Sequence, residues 1–419
     1  MTAPHPAGAV SATAPGAVGP PPLTGLRVLE LGSFVAGPFA GQILGDHGAE
    51  VIKVEEPGAG DPMRQWGLCR DGRSLWWPAI ARNKRSVAVD LRTVEGRQVV
   101  RRLADRCDIV LENFTPGRLA EWGMSYDEMA GTNPGLILTH VSGFGQTGPL
   151  SPRPGFGSVG EALGGIRHLT GWPDRPSTRT GIALGDAFAA LFAVAGTLTA
   201  VVERQRSGRG QEVDVALYEA VFAVMEGMVA EFELEGHVRG RTGSVLPGVA
   251  PSNVYEAADG RSVLIAANGD ALFARLCEVM GRPELAGDER YRTHAARAAH
   301  QAELDDHVAA YVASIPAAEL MASLEAAAVP HSLIYTAADI AADPHYEARQ
   351  MIRRVYDAGL GTVVPMAGVV PKLTRTPGCI RTTGPDLGEH THWALTAVAG
   401  YDEHDVDVLV DRGVVAEAR

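Results

Sequence analysis

The stretch RVLELGSFVAGPFAGQILGDHGAEVIKV, residues 27–54, contains two short apolar runs, Arg27–Leu31 and Glu50–Val54. Their composition favours strands, and the segment between them, centred on Pro38–Leu44, favours a helix. Strand, helix and strand in this order form a βαβ unit, and such units build parallel sheets that helices cover. The stretch therefore predicts an α/β fold.

The same alternation continues along the first third of the chain. Strands are predicted at Ser86–Leu91, Asp108–Glu112 and Leu136–Val141. A helix that Thr93 caps is predicted at Val94–Arg106. In open parallel sheets, ligands bind at the carboxyl ends of the strands. The loops that follow these strands are therefore the first candidates for a functional site.

The sequence pattern changes near Ala250. Two strand-like runs flank Asp259-Gly260, a dipeptide that is typical of hairpins, and amphipathic helical segments follow. This change predicts a separate, smaller domain inserted into the large one. The predicted organisation is a disordered tail at 1–22, the first part of a large domain at 23–225, the small domain with its linkers at 226–330, and a return to the large domain at 331–419.

The composition excludes several classes of partner. The formal net charge is -13, and a protein that binds nucleic acid normally has a basic surplus. The four cysteines lie far apart, which favours free thiols in a reducing cytoplasm over a disulfide framework or a zinc site. The apolar stretch Ala187–Val202 stops at Glu203-Arg204, so we expect a buried helix and no membrane contact.

Common cofactor motifs are missing from the sequence. Gly32, Gly37 and Gly41 do not have the G-x-G-x-x-G spacing, so a nicotinamide oxidoreductase is a distant alternative. The sequence contains no Walker loop, no H-E-x-x-H and no G-x-S-x-G. His140 and His168, like the other histidines, have no metal-ligand spacing. We therefore predict no metal and no redox cofactor.

Asp186, in the stretch Gly181-Ile-Ala-Leu-Gly-Asp186-Ala-Phe, is the candidate for catalysis. It follows Gly185 and precedes the apolar helix that is predicted from Ala187. At a helix N-terminus the unpaired N–H groups and the dipole favour an anion. Such a position is typical of an N-cap, and the same field would keep a nucleophilic carboxylate ionised and oriented. The local pattern leaves both interpretations open.

Eight short motifs follow one another along the chain. They are GLRVLELG at 25–32, AGP at 36–38, GDHGAEVIKVE at 45–55, NKRS at 83–86, ENFTPG at 112–117, GFGQTGP at 143–149, Gly185-Asp186, and SGRGQ at 207–211. This ordered series resembles the family III coenzyme A transferases, the group that contains formyl-CoA transferase and carnitine CoA-transferase. The resemblance is specific from about Leu23 to Ala220 and looser as far as Pro385.

The resemblance implies a Rossmann-like large domain with a parallel sheet, a smaller α+β domain and an interlocked homodimer. It also implies that Asp186 attacks the thioester of an acyl-CoA. A mixed anhydride and then an enzyme-bound CoA thioester would form, and a second acid would collect the CoA. The coenzyme A thioester is then a cosubstrate rather than a bound cofactor, and the other partner is a small carboxylic acid.

Several positions match the CoA site of the family. They are Val35, Ala36, Val89, Arg92, Asn113, Phe114, Arg153 and Phe156. By this resemblance Arg92, with Lys84 or Arg85 beside it, would contact the nucleotide phosphates. Phe114 would lie beside the adenine or the pantetheine.

Other positions depart from formyl-CoA transferase. That enzyme has glutamine where this chain has Val35, and arginine where it has Glu56. Its lid is a run of glycines, whereas the matching segment here, Gly243–Val249, is bulkier and contains a proline. These departures disfavour the same lid mechanism and a specificity for formate and oxalate.

The segments 155–165 and 242–248 look like those of members that act on small dicarboxylates with succinyl-CoA as the donor. A free distal carboxylate requires a cation. The candidate cations are Arg167, Arg179, Arg239 and Arg241. The substrate residues named from this likeness are Gly243, Ser244, Gly248 and Arg179.

Two rival functions remain. α-Methylacyl-CoA racemases resemble the same half of the chain, but they use a histidine in an Arg-x-Gly-His-Asp segment to move a proton. The matching stretch here is Arg153-Pro-Gly-Phe156-Gly, which lacks that base. A CoA-binding protein without catalysis, in which Asp186 only caps a helix, is the alternative from another class. The intact Gly185-Asp186 pair favours the transferase.

Overall fold

The computed structural model describes residues 19–418. The predicted disordered tail at 1–22 therefore lies, except for its last four residues, outside the described part of the chain. The described chain divides into two compact units. The first contains 19–167, 180–228 and 347–418, and the second contains 168–179 and 229–346.

Strands and helices alternate through the first unit, and the second unit is mostly helical. In chain order the strands are β1 (Arg27–Glu30), β2 (Glu50–Glu55), β3 (Cys69–Arg70), β4 (Arg73–Ser74), β5 (Lys84–Val89), β6 (Ile109–Glu112), β7 (Ile137–Ser142), β8 (Glu212–Ala216), β9 (Ser252–Glu256), β10 (Ser262–Ala266), β11 (His331–Leu333), β12 (Ile352–Asp357), β13 (Thr362–Ala367) and β14 (Val415–Ala416).

The helices of the first half are α1 (Ala36–Asp46), α2 (Trp77–Ile80), α3 (Val94–Ala104), α4 (Arg118–Glu121), α5 (Tyr126–Ala130), α6 (Gly157–Leu163), α7 (Ile166–Leu169), α8 (Leu184–Ser207) and α9 (Leu217–Phe222). Those of the second half are α10 (Met228–Glu235), α11 (Asp270–Val279), α12 (His294–Ala299), α13 (Gln301–Val312), α14 (Ala317–Ala326), α15 (Ala337–Ala342), α16 (Pro344–Ala348), α17 (Thr391–Trp393) and α18 (Glu403–Asp411). Short 3₁₀ turns occupy Pro62–Arg64 and Pro283–Gly287, and a π turn occupies Ala394–Val398.

A seven-stranded sheet in the order β14-β5-β2-β1-β6-β7-β8 forms the centre of the first unit. Its pairs are parallel except that β14 runs antiparallel to β5. This confirms the α/β fold with a parallel sheet. The chain builds outward from β1 through β2 to β5, and then returns to the other side of β1 with β6. The gap between the ends of β1 and β6 is thus the topological switch point, where such sheets bind ligands.

Helices cover both faces of this sheet, so its strands are apolar on both sides. Val28, on β1, belongs to the core cluster that includes buried residues of α1 and α8. Its neighbour Leu29 belongs to the cluster that includes buried residues of α3 and of the C-terminal helices. The predicted cap of α3 is also confirmed, because the Thr93 hydroxyl accepts the N–H of Gly96 at 3.0 Å.

The second unit contains a three-stranded antiparallel sheet in the order β11-β10-β9. The predicted hairpin across Asp259-Gly260 is confirmed by the pairing of β9 with β10. Helices α11, α13 and α14 supply much of its separate core. The sequence predicted a return to the large domain at residue 331. Residues 331–346 instead stay with the second unit, because β11 hydrogen-bonds to β10.

The apolar helix α8 is buried on one side only. Its small residues, among them Ala189 and Ala193, are buried in the core beside the sheet. Leu191 and Phe192 remain 52% and 42% exposed, so the expectation of a buried helix is confirmed for one face of α8 only. In the described residues, α8 and the bent pair α13–α14 meet the length and hydropathy requirements of a membrane span, which core helices of soluble proteins also meet.

A network of buried charged side chains lies beneath the carboxyl ends of β1 and β2. The Lys53 ammonium donates to Glu30 at 3.0 Å and to the carbonyl of Gly32 at 2.8 Å, and it lies 2.8 Å from Asp61. The Asp61 carboxylate accepts the N–H of Phe34 at 3.2 Å. Burial alone would lower the pKa of Lys53, but the charges of Glu30 and Asp61 outweigh it and raise the pKa. The network therefore fixes the loop that follows β1.

Lys84 belongs to the same network, which contradicts its expected role at the nucleotide phosphates. Its ammonium lies 2.8 Å from Glu30 and donates to the carbonyl of Pro38 at 2.6 Å, and its side chain has no exposed surface. Burial lowers the pKa of Lys84 to about 8. Because side chains alternate along β5, the neighbouring Arg85 faces outward and stacks on Trp393.

Replacement of Lys53 by methionine should destabilise the fold strongly. The change removes one of the cations that compensate the buried carboxylates of Glu30 and Asp61. Breaking a buried ion pair lowers the free energy of unfolding by about 3–5 kcal/mol. The measurement is the free energy of unfolding from urea denaturation. The matched control is Arg118→Met, which removes an exposed ion pair with Glu121 and should cost less than about 1 kcal/mol. An equal loss of unfolding free energy in the two variants would contradict the stabilising role of the network.

Candidate active site

The loops after β1 and β6 are joined side by side at the switch point. The Asn113 side chain accepts the N–H of Ser33 at 2.9 Å and donates to the carbonyl of Ser33 at 2.8 Å. Phe34 follows in the left-handed region with a φ of 65°, a conformation that costs a non-glycine residue energy unless its surroundings hold it. The Asn113 and Asp61 bonds supply that support. The two loops therefore form one rigid edge.

Phe114 extends this edge from β6. Its N–H donates to Glu112 at 2.6 Å, and the other oxygen of Glu112 bonds to Nδ1 of the buried His140. The second ring nitrogen of His140 lies 3.2 Å from Glu212. Burial alone would lower the pKa of His140, but the bonds and charges of the two glutamates outweigh it and raise the pKa. His140 thus anchors the backbone that carries Phe114.

Asp186 lies in the first turn of α8, and its side chain is half-buried. The helix begins at Leu184, and the capping position is Ala183, whose side chain makes no capping bond. The expectation that Asp186 is the N-cap is therefore wrong, because the helix starts three residues earlier than the pattern indicated. At the third helical position the carboxylate still lies in the favourable field of the helix N-terminus.

The first turn of α6 packs directly against the Asp186 carboxylate. A Cβ atom on Gly157 would lie 2.0 Å from Oδ2 of Asp186, so a larger residue there must displace that carboxylate. A Cβ atom on Gly185 would in turn lie 2.8 Å from the carbonyl oxygen of Gly157. These two glycines let α6 and α8 approach closely. Gly157 was missed by sequence reasoning, since nothing in its local pattern indicates the contact with Asp186.

A cavity of about 350 Å³ opens in front of Asp186. Its walls combine the switch-point loops with the segment that precedes α6. Among its lining residues are the predicted Ala36, Asn113, Phe114, Arg153, Phe156 and Asp186, together with Ser33 and Phe34, which the sequence did not single out. The structure therefore brings six of the named positions to one place.

A second cavity, of about 570 Å³, shares Ser33, Phe34 and Phe114 with the first. The predicted Val89 and Arg92 line it. Together the two cavities connect the nucleophile candidate with the predicted phosphate contact. This elongated form suits a long ligand that has a reactive group at one end and charged groups at the other.

Val35 departs from the predicted set. It lines neither cavity and instead packs against the cluster of Met63, Trp77 and Ala81. It occupies the position before α1. Its neighbour Phe34 faces the cavity instead and contacts Phe156 with the rings at right angles and their centroids 6.0 Å apart.

The charges in the two cavities differ. Arg92 is highly exposed, and its guanidinium lies 2.8 Å from Asp90 and 2.9 Å from Glu56. The hydrogen bonds from Arg92 lower the pKa of Asp90. Arg153 lines the first cavity, and in the part of the chain that the structure describes its guanidinium has no hydrogen bond or ion pair. The first cavity therefore offers an available cation in its wall, which Asp186 also lines.

The substrate residues named from the sequence lie in the second unit. Gly243 has a φ of +69° and packs closely against Trp172, and the Ser244 hydroxyl donates to Asn253 at 2.6 Å. Gly248 also has a positive φ, and Arg179 is exposed. Recognition of the substrate by these residues stays a prediction.

The other candidate cations already have partners. Arg167 donates to Glu161 at 2.7 Å, and Arg239 donates to Glu231 at 2.7 Å. Arg241 donates to a backbone carbonyl at 3.1 Å.

Neither a histidine nor a cluster of metal-ligand side chains is found among the described residues that line this site. No histidine lines the first cavity, where Phe156 occupies the position of the racemase base and is 61% exposed. His168 bonds to a backbone carbonyl within the second unit. Within residues 19–418, no group of three or more His, Cys, Asp or Glu side chains could hold a metal ion.

Comparison with known proteins gives one consistent family. Residues 23–391 match the model of CoA-transferase family III. The chain is 54% identical over 397 residues to succinyl-CoA–D-citramalate CoA-transferase from Chloroflexus aurantiacus, which covers 94% of this chain and 98% of that protein. It is 37% identical over 377 residues to succinate–glutarate CoA-transferase from Agrobacterium fabrum, with 88% and 94% covered.

A solved structure agrees with these matches. The crystal structure of a CAIB/BAIF family protein from Brucella suis superposes with a TM-score of 0.80 at 36% identity. It covers 91% of this chain and all of that chain.

Replacement of Gly157 by alanine should disturb the carboxylate that it contacts. The added methyl group would clash with Asp186, and overpacking of this kind costs about 1–3 kcal/mol. The measurement is thermal unfolding, followed by a crystal structure that shows a displaced Asp186 side chain. The control is Gly181→Ala, because a Cβ atom there meets nothing within 4 Å. An unmoved carboxylate in Gly157→Ala would contradict the packing described.

Proposed function

The chain belongs to CoA-transferase family III and is a CoA-transferase, and from this we propose that it moves coenzyme A from succinyl-CoA to a small dicarboxylic acid through covalent chemistry on Asp186. The observation that carries the proposal is the position of Asp186. Among the described residues that line the first cavity, it is the one acidic side chain. It also occupies the Gly-Asp motif that the family resemblance assigns to the nucleophile.

The proposed reaction begins with attack of the Asp186 carboxylate on the thioester carbonyl of the donor. The C–S bond breaks, and a mixed anhydride and the CoA thiolate form. The thiolate then attacks the aspartyl carbonyl, which releases the donor acid and leaves CoA in thioester linkage to Asp186. The acceptor carboxylate attacks this thioester to give a second anhydride and the thiolate. Attack of the thiolate on the acceptor carbonyl yields the new acyl-CoA and restores Asp186.

A carboxylate suits this cycle because an anhydride conserves the energy of the thioester. The same intermediate is lost if water reaches it, so the site must exclude water. Three aromatic side chains, Phe34, Phe114 and Phe156, line the cavity in front of Asp186. The helix N-terminus stabilises the ionised nucleophile at the start and the end of the cycle. These features are what the chain itself contributes to the chemistry.

The coenzyme A contacts are part of the proposal. Arg92 would receive the nucleotide phosphates, once they displace Asp90 and Glu56 from its guanidinium. Phe114 lines both cavities and would contact the pantetheine or the adenine. Ala36, Val89 and Asn113 would line the path between them. Val35 would act indirectly, through its packing against the cluster beside the site.

The acid substrate is inferred from charge and from the relatives. Arg153 is a cation without a partner in the described chain, and it lines the same cavity as Asp186. A dicarboxylate attached through one carboxyl group presents its second carboxylate to such a cation. The names of the relatives include citramalate, malate, glutarate and mesaconate. We propose an acceptor of this class, with Gly243, Ser244, Gly248 and Arg179 as further candidates for its recognition.

A homodimer is proposed because the first unit leaves apolar side chains uncovered. Leu191, Phe192 and Val202 on α8 and Phe222 on α9 are 42–56% exposed. Large apolar side chains that a monomer leaves exposed are typical of protein interfaces when they form a patch. A second copy of the chain, interlocked with the first as the resemblance implies, would cover it. The four free cysteines suit the reducing cytoplasm as the compartment.

Replacement of Asp186 by asparagine should abolish CoA transfer and leave the fold intact. The amide keeps the shape but cannot form the anhydride, so transfer from succinyl-CoA should fall by about four orders of magnitude or more. The measurement is incubation of the protein with succinyl-CoA and a panel of mono- and dicarboxylic acids, with new thioesters identified by mass.

The matched control is Glu319→Gln. Glu319 is exposed and holds the third position of α14, as Asp186 does in α8. The control variant should transfer CoA like the unaltered protein. Retained transfer in Asp186→Asn would exclude Asp186 as the nucleophile, and a panel without any acceptor would exclude the proposed substrate class.

A further inference from the structure

Glu161 is a buried acidic side chain that the proposed cycle does not use. It lies on α6, and its side chain is 1% exposed. One carboxylate oxygen accepts the N–H of Gly185 at 3.2 Å. The other accepts from Arg167 at 2.7 Å. Both oxygens of Glu161 are thus engaged, one by the first turn of α8 and one by a cation.

This carboxylate reaches the turn that carries the nucleophile. Gly185 immediately precedes Asp186, and a Cβ atom on Gly185 would lie 3.1 Å from Cγ of Glu161. Gly157, one helical turn before Glu161 on α6, lies against the Asp186 carboxylate. The same face of α6 therefore contacts Asp186 at one point and the backbone in front of it at the next. A shift of Glu161 would move the first turn of α8.

The arrangement brings two carboxylates to one helix turn. A carboxylate disfavours the ionised form of another one nearby, unless a cation compensates its charge. Of the elements that pack against α6, α8 contributes Asp186 in its first turn, and α9 contributes Tyr218 and Glu219, which hydrogen-bond to each other at 3.0 Å. Arg167 is the cation that the structure places on Glu161.

We propose that Glu161 and Arg167 form a positioning pair for Asp186. Glu161 fixes the first turn of α8 through the N–H of Gly185, and Arg167 compensates the charge of Glu161 so that the nucleophile remains ionised. This inference rests on the proposed role of Asp186. It also replaces the expectation that Arg167 binds the distal carboxylate of the substrate, since Glu161 already holds its guanidinium. Neither residue touches the reacting atoms, so both act through Asp186.

The test compares Arg167→Gln with the double variant Glu161→Gln/Arg167→Gln in the full chain. Arg167→Gln leaves Glu161 without its cation, so kcat for CoA transfer should fall by about tenfold to a hundredfold. The acidic limb of the kcat–pH profile should move upward by about one pH unit or more. KM for succinyl-CoA should change by less than about threefold, because the pair does not contact CoA.

The double variant separates this role from a merely structural one. It removes both charges and keeps a side chain that can accept the N–H of Gly185. Its acidic limb should return to the position found in the unaltered protein, although the variant carries one more substitution. Thermal unfolding of both variants checks that the fold is retained.

Three results would overturn the pairing. The acidic limb of the kcat–pH profile could stay in place in Arg167→Gln. In the double variant, this limb could fail to return to its position in the unaltered protein. Alternatively, Arg167→Gln could raise KM for dicarboxylic acids but not for monocarboxylic acids, which would make Arg167 a substrate contact. Failure of the proposed function is a separate result, because it appears as transfer by Asp186→Asn or as no transfer by the unaltered protein.

Discussion

The amide of Asn113 bonds both backbone groups of Ser33 and so joins β1 to β6 at the switch point of the sheet. The Phe34 backbone, the cavity walls and the approach to Asp186 all follow from this junction. Lys53 and Asp61 support it from below, through the carbonyl of Gly32 and the N–H of Phe34. A buried ionic network is expensive to desolvate. In this protein the network holds the polar backbone of the loop after β1 rigid, at the edge where parallel sheets bind their ligands.

Asp186, the proposed nucleophile, lies on α8 and lines the same cavity as Ser33 and Asn113. Glycines at 157 and 185 allow α6 to pack against the first turn of that helix, and Glu161 bonds to the turn itself. The helix field favours the ionised carboxylate, whereas a neighbouring acid opposes it. In the proposed arrangement Arg167 compensates the charge of Glu161. The reactivity proposed for Asp186 therefore depends on the charges of Glu161 and Arg167, which do not line the cavity themselves.

The sequence predicted the fold because strand and helix patterns are local. The βαβ unit at 27–54, the cap at Thr93 and the hairpin at Asp259-Gly260 were all confirmed. The family resemblance likewise pointed to Asp186, Asn113, Phe114 and Phe156, which the structure brings to one cavity.

Features that depend on packing were missed or misassigned. Lys84 carried a basic signal that fits a phosphate contact, yet it is turned inward against Glu30. Gly157, Glu161 and Phe34 act through contacts between distant segments, which no local pattern encodes. The measurement that tests the central claim most directly is reduction with borohydride during incubation with succinyl-CoA, followed by mass analysis of peptides. The account predicts that the aspartyl thioester is trapped and that residue 186 becomes homoserine. Transfer of CoA without modification of residue 186, or with modification of another residue, would contradict it.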